Sequence, residues 1–299
     1  MVLIKYGIYT NNIDVTDICL TKLTNSNIIT IPAVDDNRTA YFTDPVYGTK
    51  KKLFVIINGN VDVYDETYVV KINLSTNTIS ARSMNYNTYI NNKLFNLHSK
   101  LKINYGSLKD EVPEQKMVVQ YLTGNEKVLE IGGNIGRNSL IIASILRDSS
   151  NLVTLESDEL IAIQLLQNKL LNNLNFHIEA SALSKRKLMQ KDWTTIPSDT
   201  LEHGYKWVNT VTFSDLKNKY NIDFDTLVLD CEGAFYYILM DIPEILDNIN
   251  LIIMENNYHE IYQKEYVDNI LKNNSFYIEY VEEGGWGPCR DRFFEVWKR

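Results

Sequence analysis

Strands and helices alternate through the second half of the chain, and this alternation constrains the fold more than any other feature of the sequence. From Pro113 onward, short apolar segments such as KVLEIG (127–132) and LVTLES (152–157) alternate with segments of helical periodicity such as GRNSLIIASIL (136–146). This order is typical of a doubly wound α/β sheet with parallel strands. The last two apolar segments have no helix between them and predict an antiparallel hairpin.

The first part of the chain has a different pattern, and it predicts a small all-β domain, either a sandwich or a barrel. In residues 1–95, segments rich in Val, Ile and Tyr, such as LFVIIN (53–58) and YVVKINL (68–74), are separated by turn residues. No long helical periodicity is evident there. Residues 96–112 are polar and predict a linker, so the second domain is expected to span 113–299.

Composition and charge narrow the classes of partner. The formal net charge of −8 argues against nucleic-acid or anionic-membrane binding, since both need clustered Lys and Arg. The three cysteines are far apart and match neither a disulfide framework nor a metal site, which favours a reducing compartment. No signal peptide or membrane-length apolar run is evident, so a cytoplasmic protein is predicted. The Asn- and Ile-rich composition suggests a large DNA virus as the source, and the predicted location is then the host cytoplasm or the virion. The sequence leaves a homo-oligomer open.

The segment EIGGNIG (130–136) follows a predicted strand and opens a predicted helix, where α/β proteins bind nucleotide-like cofactors. Its glycines let the backbone approach a ligand closely. The amides of Arg137 and Asn138, at the start of the helix, can bind a carboxylate. Asn134 stands where the dinucleotide-binding pattern requires a third glycine. The segment therefore favours a cofactor other than a dinucleotide.

Acidic residues stand at the carboxyl ends of the predicted strands, where an open α/β sheet binds its ligand. Such a ring would repel a diphosphate. It suits S-adenosylmethionine, which carries a sulfonium and an ammonium group and has no phosphate. Either Glu130 or Asp230 can bind the ammonium, and Glu156 can accept hydrogen bonds from both ribose hydroxyls. The strand-end acids are Glu130, Glu156, Asp230, Glu232 and Glu255.

Five segments of the second domain are similar, in order and spacing, to the FkbM family of S-adenosylmethionine-dependent methyltransferases. They are LEIGGNIGRNSL, LESDE, ASALS, FDTLVLDCEGAFYYIL and LIIMEN. The signature D-x-G-A-N-x-G occurs with Glu130 for Asp and Gly133 for Ala, and D-x-E-G is intact at 230–233. The resemblance covers 113–299. It implies a class I methyltransferase fold, which is Rossmann-like with a mostly parallel seven-stranded sheet and a C-terminal antiparallel hairpin, and it implies methyl transfer to a hydroxyl of a sugar or small natural product.

The same resemblance, together with the strand-end argument, indicates which residues would bind the cofactor. They come from the glycine segment, from the ends of the second and third predicted strands, and from the D-x-E-G segment. The predicted cofactor-binding residues are Glu130, Gly132, Gly133, Asn134, Gly136, Asn138, Ser139, Glu156, Ser157, Ser181, Ala182 and Asp230.

Methyl transfer to a hydroxyl needs a group that removes the hydroxyl proton or lowers its pKa, and a base or a metal ion can do this. Asp230, Glu255 and Asn256 offer three oxygen ligands of the kind that Mg²⁺ or Mn²⁺ binds. Without a metal, His259 or Glu255 is the predicted base. Asp230 and Glu232 are further catalytic candidates, although an acid that ends a strand often only caps the next helix.

The turn EEGGWGPCRDR (282–292) joins the last two predicted strands and is expected to lie over the site. Trp286 could stack on a sugar ring, and Arg290 or Arg292 could bind an anionic substituent. The predicted acceptor is therefore a sugar or glycan, with no nucleic acid and no membrane as partner. Two alternatives stay open: an RNA ribose methyltransferase, which the net charge disfavours, and a binding protein with an inactive methyltransferase fold.

Overall fold

The computed structural model describes residues 2–299, and the chain divides into two compact units, Met1–Ser99 and Lys100–Arg299. The division falls within the predicted linker 96–112. The strands and helices of the first unit are β1 (Val2–Ile8), β2 (Asn11–Asp14), α1 (Thr16–Lys22), β3 (Thr24–Asn25), β4 (Ile28–Ile31), α2 (Asp35–Phe42), β5 (Lys52–Ile57), β6 (Asn60–Tyr64), β7 (Tyr68–Asn73), β8 (Thr78–Ser83) and α3 (Tyr86–Lys100).

The strands of the first unit form two antiparallel sheets, in the orders β2-β1-β5-β6 and β3-β4-β7-β8. Both sheets contribute to one core, for example with Ile4 and Val55 from the first sheet and Ile31 and Val70 from the second. The predicted β structure is thus present.

The prediction of an all-β first domain is wrong in one respect, because the unit also contains three helices. Helices α1 and α2 are short and polar. Cys19 of α1 and Phe42 of α2 are buried in the apolar core, and Ile18 of α1 packs against it. One or two inward apolar residues per helix leave no periodicity to detect. Helix α3 crosses the predicted domain boundary at residue 95. Its buried residues Tyr89, Ile90, Leu94 and Leu97 do follow a helical period, which is a signal that could have been found.

The second unit is organised around one seven-stranded sheet. Its elements are α4 (Val112–Tyr121), β9 (Val128–Ile131), α5 (Arg137–Ile145), β10 (Leu152–Leu155), α6 (Glu159–Leu171), β11 (His177–Glu179), β12 (Ala182–Leu183), β13 (Leu188–Lys191), β14 (Thr194–Pro197), β15 (Lys206–Val208), β16 (Thr210–Val211), α7 (Phe213–Tyr220), β17 (Thr226–Leu229), α8 (Ala234–Asp241), β18 (Leu251–Glu255), α9 (Ile261–Asn273), β19 (Tyr277–Glu282) and β20 (Phe294–Lys298). Three short 3-10 helices, Ser149–Asn151, Pro243–Leu246 and Gly287–Arg292, complete it.

The order of this sheet is β11-β10-β9-β17-β18-β20-β19. The pairings from β11 to β18 are parallel, and those of β20 with β18 and β19 are antiparallel. The predicted Rossmann-like architecture, a mostly parallel seven-stranded sheet that ends in an antiparallel hairpin, is confirmed. The order reverses between β9 and β17, and ligands of open α/β sheets bind at such a switch point.

The central strands are buried along their whole length, as expected for parallel strands covered by helices. Leu129, Leu227 and Ile252 pack with apolar residues of α8 and α9 into one large core. Helices α4 and α5 pack against the sheet through contacts with β18 and β10. The parallel strands therefore end together, and their carboxyl ends place the site.

Residues 101–111, predicted as part of the linker, pack against helix α6 within the second unit. The buried Asn168 side chain accepts a hydrogen bond from the Asn104 amide at 2.7 Å and donates one to the Ile135 carbonyl at 2.9 Å. One turn further on, Asn172 bonds both backbone groups of Lys102. These bonds fix the segment beside the glycine turn. Across residues 2–299, no helix combines the length and apolar character needed to span a bilayer.

Candidate cofactor and acceptor site

The glycine turn after β9 lies where three strands end. The amides of Gly132 and Gly133 donate to the Leu155 carbonyl at 3.0 and 2.9 Å. A Cβ on Gly132, where φ is +92°, would overlap the Asp230 carbonyl, and a Cβ on Gly133 would overlap the Thr154 hydroxyl. The packing of the strand ends itself thus requires both glycines. Gly136 is required in the same way, because a Cβ there would overlap the Leu165 side chain.

Glu156, at the end of β10, ties the glycine turn to the start of α6. Its Oε2 accepts from the Asn134 amide and its Oε1 from the Asp158 amide, both at 2.8 Å. Burial raises the pKa of the Glu156 carboxyl, while these two backbone hydrogen bonds oppose the shift. Each carboxylate oxygen keeps a lone pair that can accept a hydrogen bond from a ligand.

A cavity opens beside this turn, at the carboxyl ends of β9, β10 and β17 and against the first turns of α8. The space between its walls, open solvent included, amounts to about 1030 Å³. The structure brings together at this cavity eight residues that the sequence predicted for the site: Gly132, Asn134, Glu156, Ser157, Ser181, Ala182, Asp230 and Glu232.

Two buried polar atoms of the cavity lining have no hydrogen-bond partner among the described residues. They are Ser181 Oγ and Gln190 Oε1, in side chains that are 6% and 4% exposed. Gln190 Nε2 donates to Ser157 Oγ at 3.0 Å, so the orientation of the amide is set and its oxygen is free to accept. Both atoms are therefore available to a polar ligand or to water in the cavity.

One wall of the cavity is a three-stranded antiparallel sheet in the order β14-β13-β15. The sequence did not predict this sheet. The residues from Ser184 to Tyr205 have no clear hydrophobic period, and the sequence predicts no strand or helix there. The sheet is inserted between β12 and β16 and contributes lining residues that include Gln190 and Trp193. Trp193 is 60% exposed although it lines the cavity, so its ring has a free face. A tryptophan and a glutamine in a polar insertion were a weak signal that could have been noted.

Glu130 lies outside the cavity lining, contrary to its predicted contact with the cofactor. It is 2% exposed, on the face of β9 that meets α5, and accepts a hydrogen bond from the Ser139 hydroxyl. Burial raises the pKa of the Glu130 carboxyl to about 7, and the hydroxyls of Ser139 and Thr154 oppose the shift. Four more of the predicted cofactor-binding residues lie outside the cavity lining, in the packed glycine turn and at the start of α5. They are Gly133, Gly136, Asn138 and Ser139.

A group of carboxyls lies at the ends of β17 and β18. Leu229 pairs with Met254 in parallel register, so the next residues, Asp230 and Glu255, are neighbours. Glu114 of α4, which packs on β18, contributes to the raised pKa of Glu255.

The environment of these carboxyls favours their neutral forms. Burial, followed by the neighbouring Asp230 and Glu114, raises the pKa of Glu255 to about 10. Burial and the surrounding carboxyls, Glu111 first among them, raise the pKa of Asp230 well above its ordinary value. Glu114 was not predicted, because its place in the site depends on how α4 packs.

The predicted metal site, Asp230 with Glu255 and Asn256, is not supported. Within residues 2–299, no group of three or more His, Cys, Asp or Glu side chains is arranged to hold a metal ion. The Asn256 side chain is fully buried, and its Nδ2 donates to the Arg292 carbonyl at 2.7 Å. Asn256 therefore anchors the turn that precedes β20.

The remaining predicted residues form a separate, more exposed group outside the cavity lining. The rings of His259 and Trp286 are 5.2 Å apart, centre to centre. Burial raises the pKa of Glu232, and the nearby His259 opposes the shift. Arg292 forms an ion pair with Asp268 at 3.2 Å, which reduces its availability for a substrate anion. Arg290 is exposed.

Comparison with known proteins identifies no family for the chain. No protein-family model matches it, and no curated protein sequence does. Among solved structures, an O-methyltransferase from Bacillus cereus in complex with SAH matches with 14% identity and a TM-score of 0.41, covering 70% of this chain and 90% of that chain.

Two further solved structures give matches of the same quality. The ribosomal protein L11 methylase from Lactobacillus delbrueckii subsp. bulgaricus matches with 11% identity and a TM-score of 0.41, over 66% of this chain and 81% of that chain. An rRNA methylase from Streptococcus thermophilus matches with 8% identity and a TM-score of 0.40, over 65% and 99%. These scores are too low to bear on activity, so the proposed function depends on the site.

Proposed function

We propose that the second unit is an S-adenosylmethionine-dependent O-methyltransferase of the FkbM type. The observation that carries the proposal is the position of Glu156: a buried carboxylate at the end of β10, held by two backbone amides and facing a cavity at the switch point of the sheet. A carboxylate in this position is suited to bind both hydroxyls of a ribose.

The cavity also fits the rest of such a cofactor. Ser181 Oγ and Gln190 Oε1 are unpartnered among the described residues and can bond the edge of an adenine, whose 6-amino group is a donor. The exposed ring of Trp193 offers a stacking surface for a flat base. Gly132 and Asp230 also line the cavity, and the carboxylate of Asp230 is suited to a cationic group. No phosphate-binding arginine or lysine is required by this assignment.

The cofactor supplies an electrophilic methyl group on a sulfonium, which is already a good leaving group. The tasks left to the protein are to align the acceptor, to exclude water and to accept the proton of the hydroxyl. We assign proton acceptance to Asp230, because it lines the cavity, where the positive charges of the proposed cofactor favour its ionised form against the burial that raises its pKa. His259 is a weaker candidate, since it is exposed and outside the lining.

The proposed acceptor is a hydroxyl of a sugar, a glycan or a related small molecule. The motif resemblance supports this choice, and the net charge of −8 disfavours an RNA acceptor. Trp286, beside His259, is a candidate platform for a sugar ring.

The test is isothermal titration of the full chain with S-adenosylmethionine and with S-adenosylhomocysteine. Replacing Glu156 by Ala removes a charged hydrogen-bond acceptor, which we expect to weaken binding by about 1.5–3 kcal/mol, or roughly 10- to 150-fold in Kd. The control is Glu265→Ala, which removes the same charge from an exposed position of α9 outside the cavity lining.

Absence of cofactor binding by the unmodified chain would contradict the proposal and favour the inactive binding protein. Binding with a Kd unchanged by Glu156→Ala would keep the cofactor but would show that its ribose lies elsewhere.

A further inference from the structure

The outward side of helix α6 (Glu159–Leu171) is apolar and exposed. The helix buries Ala162 and Leu165 on its inward side. Five leucine and isoleucine side chains, most of them spaced by three or four residues and therefore on one side of the helix, are 36–70% exposed. A helix that is apolar on both sides is typical of one that is covered on both sides. The exposed set, the α6 face, consists of Leu160, Ile163, Leu166, Leu170 and Leu171.

The α6 face has the size of an interaction surface. Its five side chains present on the order of 400 Å² of apolar area, as much as the largest patch of a typical monomer, and such patches are often functional. None of the five lines the cofactor cavity, so the proposed site does not account for their exposure. Each partner of a standard protein interface contributes about 800 Å², arranged as an apolar core within a polar rim. The α6 face is therefore large enough to be the core of such an interface.

Opposite charges stand at the two ends of the α6 face, Glu159 in the first turn and Lys169 in the last. The exposed Glu159 carboxylate accepts a hydrogen bond from Asn209 at 2.8 Å, and a carboxylate has room for further donors. Lys169 Nζ lies 5.4 Å from the ring centre of Phe176 and forms no ion pair among the described residues. The two charges are about 15 Å apart along the helix axis and cannot pair with each other. They suit a partner helix whose charges run in the opposite direction.

We infer that the α6 face binds the α6 face of a second copy of this chain, with the two helices antiparallel about a two-fold axis. A two-fold contact is self-complementary, so each pair of facing residues occurs twice. When Ile163 of one copy lies opposite Leu166 of the other, Glu159 lies opposite Lys169 at both ends. One partner thus covers the apolar residues and pairs both charges. An anionic membrane surface would instead repel Glu159 and the net charge of −8.

The experiment is analytical ultracentrifugation of the full chain over a wide range of protein concentration, and we expect a reversible dimer. Leu166→Glu buries a carboxylate without a counter-ion at the centre of the contact, which should raise the dimer Kd at least about 100-fold. The control is Leu201→Glu, which changes a leucine that is 49% exposed outside α6 and should keep the Kd of the unmodified chain. Circular dichroism and the Tm of each variant show that it is folded.

Charge reversal tests the direction of the two helices. Glu159→Lys and Lys169→Glu each place like charges opposite one another at both ends of the antiparallel contact, which should raise the dimer Kd about tenfold. The chain that carries both changes has opposite charges facing again and should return to nearly the original Kd. In a parallel contact each residue would face its own copy, so the combined variant would restore nothing.

Four results would overturn the inference. The first is a chain that stays monomeric at every concentration. The second is a dimer whose Kd is unchanged by Leu166→Glu, because another surface then makes the contact. The third is a dimer that needs Leu166 but is not restored when the two charge reversals are combined. The fourth is a monomer that sediments with vesicles of phosphatidylcholine and phosphatidylserine and loses this binding in Leu166→Glu, because the α6 face then binds lipid.

Discussion

Buried charges in the first unit differ from those at the site of the second. Lys51 is 3% exposed and lies 2.9 Å from a carboxylate oxygen of Asp35 and 3.0 Å from one of Asp44. Burial alone would lower the pKa of Lys51, yet its hydrogen bonds to the two aspartates raise it. Glu66, buried in the same unit, is paired with Lys50 at 2.9 Å. Each of these buried charges has its counter-ion.

A buried lysine of the second unit is paired in the same way. Lys264 is 1% exposed, lies 2.8 Å from Glu295 and also pairs with Asp268. Glu255 is the contrast, because burial and the neighbouring carboxyls raise its pKa to about 10, which favours its neutral form. A neutral carboxyl needs no counter-ion, but it ionises freely in the unfolded chain. The comparison thus separates buried charges that are held by a counter-ion from a buried carboxyl that is held neutral.

The largest effect on stability should follow replacement of Lys51, the cation that pairs with Asp35 and Asp44. Lys51→Met removes the buried cation and leaves the partly exposed Asp35 and Asp44 without a counter-ion, and we expect a loss of about 3 kcal/mol, the low end for a broken buried pair, in the free energy of unfolding of the first unit. Hydrogen exchange of peptides from residues 2–99, followed by mass spectrometry, measures this loss separately from the second unit. Lys71→Met is the control, because Lys71 is exposed on β7 between two buried residues.

A loss in Lys51→Met no larger than in Lys71→Met would break the comparison. Pairing would then say nothing about whether a buried charge stabilises this protein.

A smaller effect of opposite sign should follow removal of the titrating carboxyl of Glu255. The pKa of Glu255 is raised from 4.5 to about 10, so the folded chain holds this proton more tightly than the unfolded chain. Stability from this group is therefore complete below pH 4.5 and is lost as pH rises toward about 10. Glu255→Gln should remove this slope and be more stable at pH 7 by more than about 1 kcal/mol, since one pKa unit corresponds to about 1.4 kcal/mol.

Denaturant unfolding followed by tryptophan fluorescence at pH 5, 7 and 9 (about two pH units apart, enough to resolve a slope) measures this effect. All tryptophans of the chain, Trp193, Trp207, Trp286 and Trp297, lie in the second unit, so the signal reports that unit. Glu265→Gln should keep the slope of the unmodified chain. An equal slope in Glu255→Gln would mean that the cluster is ionised and already paired.

The fold of the second unit could be predicted from sequence because its signals are local. The segment KVLEIG became β9 and LVTLES became β10, since an uninterrupted apolar run between turn residues has few alternatives in an α/β chain. The three-stranded insertion at 188–208 could not be predicted from sequence, because its strands are short, polar and only partly buried. They are held by pairing with one another, which is a tertiary effect.

The site could be predicted in part for the same reason. The strand-end rule placed Glu156 and Asp230 at the cavity, because the carboxyl ends of parallel strands share one edge. The strand-end rule also predicted Glu130 at the cavity. Successive residues of a strand face opposite sides of the sheet, however, and Glu130 faces α5. Glu114 could not be found, since a buried glutamate on a predicted helix looks like a surface residue until the helix is packed.

The smallest effect should come from an ion pair that is exposed. Lys206 of β15 and Asp158 are 2.5 Å apart, with side chains 53% and 24% exposed. Because water screens such a pair, we expect Lys206→Met to cost about 0.2–1 kcal/mol, and less at high salt. Asp158 also accepts the Leu160 amide at 2.8 Å as the N-cap of α6, so Asp158→Ala should cost more, about 0.5–2 kcal/mol. Tryptophan-monitored unfolding at two salt concentrations tests both. A loss in Lys206→Met as large as that in Lys51→Met would mean that partner charge, rather than burial, governs these pairs.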